Sequence, residues 1–599
     1  MIDIDVNRSV TSFMAISKMH TNTSLPTFAL VERRMSLSRI VSHRNLGNAE
    51  ALLTGGVCTL EANQDAAELV LDFGKQCVGS WSMDVRCGNT LRIVVTYGED
   101  LQETLQEEEF TGGWYKRPRD TFSIEAGTTT LQSRGRRAFR YVRVQVEAGG
   151  AEVALLSTAA QLRHYPVNES GYFSCSDSLL NRIWEISAYT TKLCMQQYYE
   201  DGPKRDGLLW ISDYRVQFLC NILLFGDLEL ARKSLRLIAA SQRANGAIPA
   251  TQGSVGAHQH PSNIDYMPGI PEGVNDWVIV NYCLDYIGCV RDFHTYSGDV
   301  DLVKELWPGI RTLLGFLLAQ EPDAARSGKD FITDTYYGMD GWWGSHGMLA
   351  LQYLIGFDDA LHLAGIVGDE ATQDTCRQFL ATHRSHLLKT YRVDRDPLFF
   401  DEPHSKVSTS RQVNAFATLA GLATAEEHAQ RMGILASGHY RTHTPAAGFM
   451  HFWTLLADFK SGLHEQALQS IREIWGLMLS HGATTTWDLV DPKAGAHAHS
   501  AGFAYSRCHG WSAGPAFFFP TEILGVRVDA PGWTHLTIRP NLAGLEWAEG
   551  EIPTPRGAIR VTWTKEPKLS GSVHLPAGMT ADVWLGESSV RVGAGRHQF

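Results

Sequence analysis

A multidomain α+β chain is what the sequence predicts, with a β-sandwich at the amino terminus, a large helical unit in the middle and a second β-sandwich at the carboxyl end. Three observations predict it. Up to about residue 165, apolar residues form short β-branched runs or alternate with polar ones, between Gly and Asn clusters. From Pro166 to about residue 510 they recur at helical spacing. Past Pro515 the alternation returns. The boundaries fall at 1–165, 166–515 and 516–599, with linkers short enough for the units to pack together.

In the first unit, Leu69-Val70-Leu71-Asp72-Phe73-Gly74 is an apolar run closed by glycine. The run from Leu91 to Gly98 follows a turn signal at Gly88-Asn89, and Tyr141-Val142-Arg143-Val144-Gln145-Val146 alternates with period two. The densest basic stretch, Arg134, Arg136, Arg137, Arg140 and Arg143, reads as one face of a strand. The acidic Gln102–Glu109 stretch reads as a solvated loop.

The helical unit starts where Ser176-Asp177 can cap a helix containing Leu179, Leu180, Ile183, Trp184 and Ile186. Further apolar periodicity runs through Leu219–Ala240, Trp277–Tyr296, Leu302–Leu318, Leu349–Val367, Ala371–Leu388 and Val413–Leu422, and again from Leu455 to Met478. Such helices must bury their faces on one another, as a bundle, a solenoid or a closed α/α toroid. No fixed-period self-similarity is visible, which argues against a solenoid. In the last unit Leu536-Thr537-Ile538-Arg539, Ala558-Ile559-Arg560-Val561-Thr562-Trp563 and Ala581-Asp582-Val583-Trp584-Leu585 alternate as strands.

Charge excludes some function classes. Lys and Arg number 53 against 65 Asp and Glu, a formal net charge of −12, and no basic run stands out. Nucleic acid and anionic membrane surfaces are therefore not expected partners. No window reaches the ~18 consecutive apolar residues of a spanning helix. The start, Met1-Ile2-Asp3-Ile4-Asp5, lacks a basic region followed by an apolar run, so the expected compartment is the cytoplasm. Ten cysteines without CxxC spacing read as buried free thiols. No zinc or haem pattern occurs, nor GxSxG, HExxH, a P-loop or a dinucleotide fingerprint, so no metal and no cofactor is expected. A homo-oligomer is compatible with the sequence, which carries no readable sign of its size.

Chemistry-bearing residues concentrate in polar islands beside tryptophan. The segment from Glu200 to Asp213 crowds Glu200, Asp201, Lys204, Arg205, Asp206 and Asp213 around a Gly202-Pro203 turn and leads through Trp210 into a helix. Carboxylates at a helix mouth can have tuned pKa values and act as acid or base. A salt-bridged turn with a capping aspartate accounts for the same residues equally well. Asp276-Trp277 and Asp340-Gly341-Trp342-Trp343 form two further islands. Trp487-Asp488, at the end of a Thr484-Thr485-Thr486 run, and Cys508-His509-Gly510-Trp511 form two more. Indole rings stack on sugar C–H faces and carboxylates accept hydroxyl hydrogen bonds, so these islands together suit a carbohydrate partner, although the Asp276 and Asp340 islands, each taken alone, are more readily structural. A multi-carboxylate site without metal is what glycoside hydrolysis needs.

The segment from Ser176-Asp177 and Leu180-Asn181-Arg182-Ile183-Trp184, through Asp201-Gly202-Pro203-Lys204-Arg205-Asp206, to Trp210 and Asp213 resembles the signature region of the α-L-rhamnosidases, glycoside hydrolase family 78. Gly482-Ala483-Thr484-Thr485-Thr486-Trp487-Asp488, Cys508-His509-Gly510-Trp511-Ser512-Ala513-Gly514-Pro515 and Leu524-Gly525-Val526-Arg527 also resemble it, as do Leu71-Asp72-Phe73-Gly74 and Tyr97-Gly98-Glu99. The resemblance implies a six-hairpin (α/α)6 barrel between the two sandwiches and an inverting exo-hydrolysis of rhamnosides. It implies that Asp201 and Asp213 bind rhamnose hydroxyls, that His509 bonds to the sugar, and that Trp210, Trp277, Trp342, Trp343 and Trp487 wall the pocket with Arg205, Asp276 and Asp340.

Two positions depart from the family pattern. Gly207 stands where the general-acid glutamate is usual, and Asp488 stands where the general base is usually glutamate. The expected acid is then Asp206, with Asp201 and Glu200 behind it, and the expected base is Asp488. Alternatives are a related six-hairpin enzyme acting on another deoxy sugar, a lyase acting on a uronate, and a sugar-binding homologue without turnover.

Overall fold

The structure, a computed structural model, describes residues 25–61, 64–107, 118–205, 207–252, 278–327, 346–393, 396–402, 408–437, 448–490 and 505–599.

The amino-terminal part is organised by one long strand, Ala66–Cys87, at the middle of a ten-stranded sheet. Its register with Arg137–Glu147, and that strand's with Leu91–Gly98, builds apolar ladders across the sheet. Leu69 opposes Val144, which opposes Val95, and Leu71 opposes Val142, which opposes Tyr97. All six are buried in one cluster, as period-two alternation requires.

The reading of the arginines as one face is corrected: the register breaks opposite Arg140, so that Phe139 and Val142 both reach the core, and Arg137 pairs with Asp120, Arg140 with Asp72 and Arg143 with Glu68. The acidic stretch is also corrected where it is described. Leu101–Leu105 forms a short helix capped by Asp100, and Glu103 is buried. Burial is tolerable there because a cation, Lys204, lies 3.1 Å away.

Between Asp72 and Cys77 the long strand slips its register with Arg137–Glu147. Gly74 sits at φ +79° and donates its N–H to Asp72 Oδ1 at 2.7 Å, a tight bend that suits glycine. The bend carries Gln76 outward. Its N–H reaches Thr484 Oγ1 at 3.0 Å, and its carbonyl accepts from Tyr189 Oη at 2.6 Å. The sheet thereby docks on the helical part.

Helix Ser178–Cys194 begins as the sequence predicts, with Asp177 accepting from the N–H groups of Leu179 and Leu180. The periodic stretches appear as Val280–Ser297, Val300–Ser327, His346–Val367, Glu370–Thr390 and Arg411–Leu419. Two of them divide at left-handed glycines. Leu219–Ala240 breaks into Ile211–Leu224 and Glu229–Ala240 near Gly226, and Leu455–Met478 into Gly448–Lys460 and His464–Ser480 at Gly462. Their apolar faces, including Ile183, Leu219, Ile287, Leu354, Phe416 and Trp475, join one core. No helix among the described residues is long and apolar enough to cross a membrane.

The carboxyl-terminal part holds two sheets. Helical turns persist past Pro515 to Ile523, so the first strand is Val526–Ala530, later than the sequence pattern suggests. Strand Tyr172–Cys175, in a stretch read as helical, pairs with Trp547–Ile552 and lies at the edge of a five-stranded sheet, with Phe173 opposite Gly550. Four residues are too few to show a period, and their partners lie nearly 400 positions away in the chain. In Ile559–Thr564 the expected alternation is complete, with Ile559, Val561 and Trp563 buried and the residues between them exposed.

Candidate active site

Two chain segments build the site. The first is a turn closed on itself. The Asp201 N–H donates to the Leu208 carbonyl at 3.0 Å, the Leu208 N–H returns to Asp201 Oδ1 at 3.0 Å, and Gly207 donates to the Gly202 carbonyl. Gly207 adopts φ +73°, a conformation that costs any residue with a Cβ, and Tyr198 Oη holds its carbonyl at 3.1 Å. Trp210 pairs with Thr251 in a two-residue ladder and serves as N-cap of helix Ile211–Leu224. Asp213 falls in the first turn, where the helix dipole favours a carboxylate. The indole of Trp210 meets the Tyr282 ring edge-on at 6.1 Å.

The second segment pairs Thr485–Asp488 with Ser506–His509. Asp488 donates to the Ser506 carbonyl and His509 to the Thr486 carbonyl, each at 2.9 Å, while Thr485 Oγ1 reaches the Arg507 carbonyl at 2.6 Å. The Gly510 N–H joins the two segments by donating to the Asp201 carbonyl at 2.8 Å.

His509 is where the two segments meet. Its Nε2 lies 3.8 Å from Asp201 Oδ2 and 3.9 Å from Asp488 Oδ1, and its Nδ1 lies 3.7 Å from Asp213 Oδ1. All four residues are at most 5% exposed. The three separations exceed hydrogen-bond length, which leaves room for the hydroxyls of a ligand to bridge them. The imidazole stacks on Trp511, with centroids 4.2 Å apart. Burial, reinforced by the Arg205 guanidinium, holds its pKa well below the usual imidazole range. A neutral ring offers one donor and one acceptor, beside carboxylates that accept. Arg205 lies over the Tyr505 ring at 4.9 Å, and Arg507 over the indole of Trp487 at 4.5 Å. The arrangement can hold a polyhydroxylated ligand, and it can take a proton from water or give one to a leaving group.

Residues 168–523 match the family model described as the bacterial alpha-L-rhamnosidase 6 hairpin glycosidase domain, and residues 525–599 match the bacterial alpha-L-rhamnosidase C-terminal domain. The chain belongs to the bacterial α-L-rhamnosidase family. A curated alpha-L-rhamnosidase of Alteromonas sp. (strain LOR) is 32% identical over 121 residues, 18% of this chain and 12% of that protein. Among solved structures, a family 78 rhamnosidase of Bacillus sp. GL1 is 26% identical with a TM-score of 0.76, over 88% of this chain and 54% of its own. A rhamnosidase from Klebsiella oxytoca with rhamnose bound shares the fold at 20% identity and a TM-score of 0.68, covering 82% of this chain and 96% of its own. The chain thus spans about half of the Bacillus protein and a small part of the Alteromonas one.

Within this rhamnosidase-family chain, Asp201, Asp213, Asp488 and His509 come together, with Arg205, Trp210 and Trp487 on the same two segments. Asp206, Asp276, Trp277, Asp340, Trp342 and Trp343 lie outside the described residues. One oxygen of Asp201 closes its turn, as the capping reading expects, while the other faces His509.

Sequence reasoning missed the supports of the site. Glu99, on the amino-terminal sheet, accepts from Lys204 Nζ at 3.0 Å, Gln76 Nε2 at 2.8 Å, the Arg507 N–H at 2.6 Å and Ser506 Oγ. Burial raises the pKa of this carboxyl against the pull of Lys204. Arg136 grips both oxygens of buried Glu200 at 2.8 Å. The motif Tyr97-Gly98-Glu99 was visible, but its partners stand some 100 and 400 positions further along the chain.

Proposed function

We propose that the chain hydrolyses terminal α-L-rhamnosides, in small glycosides or oligosaccharides, with inversion at the anomeric carbon. In this reading the helices form an (α/α)6 barrel between two β-sandwiches, and the loops at one end of the barrel converge on the site. The observation that carries the reading is the convergence of Asp201, Asp213 and Asp488 on His509 within 3.9 Å, inside a chain of the α-L-rhamnosidase family. The rhamnose bound to the Klebsiella neighbour supports the choice of sugar.

Asp201, Asp213 and His509 bind the sugar hydroxyls, where low dielectric strengthens each bond. Asp488 takes a proton from a water that attacks the anomeric carbon from the face opposite the aglycone. Asp206 gives a proton to the glycosidic oxygen as that bond breaks. A base acting through water tolerates an aspartate in place of a glutamate, because the water bridges the missing methylene. Arg205, Trp210, Trp277, Trp342, Trp343, Trp487, Asp276 and Asp340 complete the pocket.

The test is release of nitrophenol from p-nitrophenyl α-L-rhamnopyranoside, with NMR of the anomer first formed. β-L-Rhamnose appearing first is the expected result. The α anomer appearing first would overturn inversion. Rhamnose binding without any release would leave a sugar-binding homologue.

A further inference from the structure

Three stretches of chain meet around His509: the turn of Asp201, the run from Thr484 to Asp488, and the run from Ser506 to His509. One carboxylate outside the cluster grips all three. Glu99 follows strand Leu91–Gly98 of the amino-terminal sheet, its side chain is fully buried, and its N–H donates to Glu103 Oε2 at 2.8 Å. On the turn of Asp201 it holds Lys204, whose Nζ lies 3.0 Å from Oε2. On the run to His509 it accepts from the Arg507 N–H at 2.6 Å and from Ser506 Oγ at 3.2 Å. It reaches the run to Asp488 through Gln76. Gln76 Nε2 donates to Glu99 Oε1 at 2.8 Å, and the Gln76 N–H donates to Thr484 Oγ1 at 3.0 Å.

Two of these stretches touch where they cross. A Cβ on Gly202, next to Asp201, would lie 3.1 Å from Ser506 Cβ and 3.2 Å from the Cys508 carbonyl oxygen. Contact of this kind limits their approach, whereas the Glu99 bonds limit their separation. A buried carboxylate–ammonium pair adds little net stability over an apolar core of the same shape, because desolvation offsets the attraction. What a satisfied buried network adds is a single geometry. Here that geometry concerns Asp201 and Asp488, whose carboxylates lie 3.8 and 3.9 Å from His509 Nε2.

We propose that Glu99 is a positioning residue for the reaction. Without touching the substrate, it sets the spacing of Asp201, Asp488 and His509 from the amino-terminal sheet. This role rests on the proposed hydrolysis of rhamnosides, and it makes the sheet part of the working site.

The experiment compares the wild type with Glu99→Asp, with Lys204→Met and with the double variant Lys204→Met/Glu99→Gln. The urea midpoint of each is measured. Without denaturant, so are L-rhamnose affinity by ligand-observed NMR, and kcat and KM on p-nitrophenyl α-L-rhamnopyranoside. Glu99→Asp keeps the charge and shortens the arm by one methylene, so it cannot reach Lys204, Gln76 and Arg507 together. A misplacement of about 1 Å costs on the order of a hundredfold in rate, and kcat should fall by about that factor. Rhamnose affinity should fall about tenfold, the weight of one hydrogen bond to the sugar. The double variant separates positioning from stability. It should regain part of the midpoint lost in Lys204→Met and none of the lost kcat or affinity, because the arm to the Asp201 turn is still missing. Activity and affinity that recover together with the midpoint would make Glu99 a structural residue and overturn the proposal, as would a wild-type kcat in Glu99→Asp. Binding needs no turnover, so the two readings fail separately. A wild type that binds rhamnose but releases no nitrophenol loses the hydrolysis. The positioning role then stands on a tenfold loss of affinity in Glu99→Asp and falls without it. A wild type that binds no rhamnose overturns both.

Discussion

Lys204 Nζ lies 3.0 Å from a carboxylate oxygen of Glu99, with both side chains at most 1% exposed. The pair crosses from the turn that carries Asp201 to the amino-terminal sheet, and Glu99 continues to the backbone of Arg507, two residues before His509. Lys204→Met would leave Glu99 and Glu103 buried without their cation. The expected cost is about 3–5 kcal/mol, read as a lowered urea midpoint, because an uncompensated buried charge is expensive. Adding Glu99→Gln to that variant should recover part of the loss. An unchanged midpoint in Lys204→Met would refute the role of the pair.

Asp206→Asn should damage hydrolysis of glycosides with poor leaving groups far more than that of activated aryl glycosides. A nitrophenolate departs with little help from an acid, whereas a sugar alkoxide needs its proton. Equal losses on both substrates would sink Asp206 as the general acid.

Gly207→Glu would place the residue usual in the family at this position, but on a backbone with φ +73°. The expected outcome is a destabilisation of about 1–2 kcal/mol and no gain in activity, since the left-handed region penalises a Cβ. Thermal unfolding and kcat of the variant check both halves.

Asp359 carries a pH prediction. Burial raises its pKa from 3.8 to about 6, although Arg215 and Arg291 pull it the other way. Between those two values the folded chain binds more protons at this site than the unfolded chain does. Its contribution to stability therefore falls as pH rises from about 4 to about 6, and is constant above that. The advantage of the wild type over Asp359→Asn should shrink across this window in urea melts. An advantage that grows with pH would contradict the assignment.

All ten cysteines are buried and unpaired, and burial pushes Cys58, Cys175 and Cys376 up to about 11. Thiolates are the reactive species, so the native protein should leave Ellman's reagent unreacted near pH 8, and unfolding should release ten thiols. Prompt native labelling of several cysteines would contradict the burial.

Much of this architecture is written in local pattern. The Asp177 cap, the alternation in Ile559–Thr564 and the ladder residues Leu69, Leu71, Val142 and Val144 follow from periodicity and side-chain chemistry, which act over a few residues. The candidate aspartates and His509 were legible as polar islands beside tryptophan, and it was the resemblance of those segments to the α-L-rhamnosidases that singled them out from islands as readily structural. What only the tertiary structure decided is which of these residues meet. Asp201 and His509 are some 300 positions apart, and the Gly510-to-Asp201 backbone bond that joins their segments has no local signature. The same is true of Glu99 with Lys204, of Arg136 with Glu200, and of strand Tyr172–Cys175 joining a sheet made by the far end of the chain. Burial inverts the sequence-level expectation at such places. A charged residue that looks solvated in the sequence, as Glu103 does, becomes an interior group once folding brings it a partner, and pairing over that distance is a property of the fold alone.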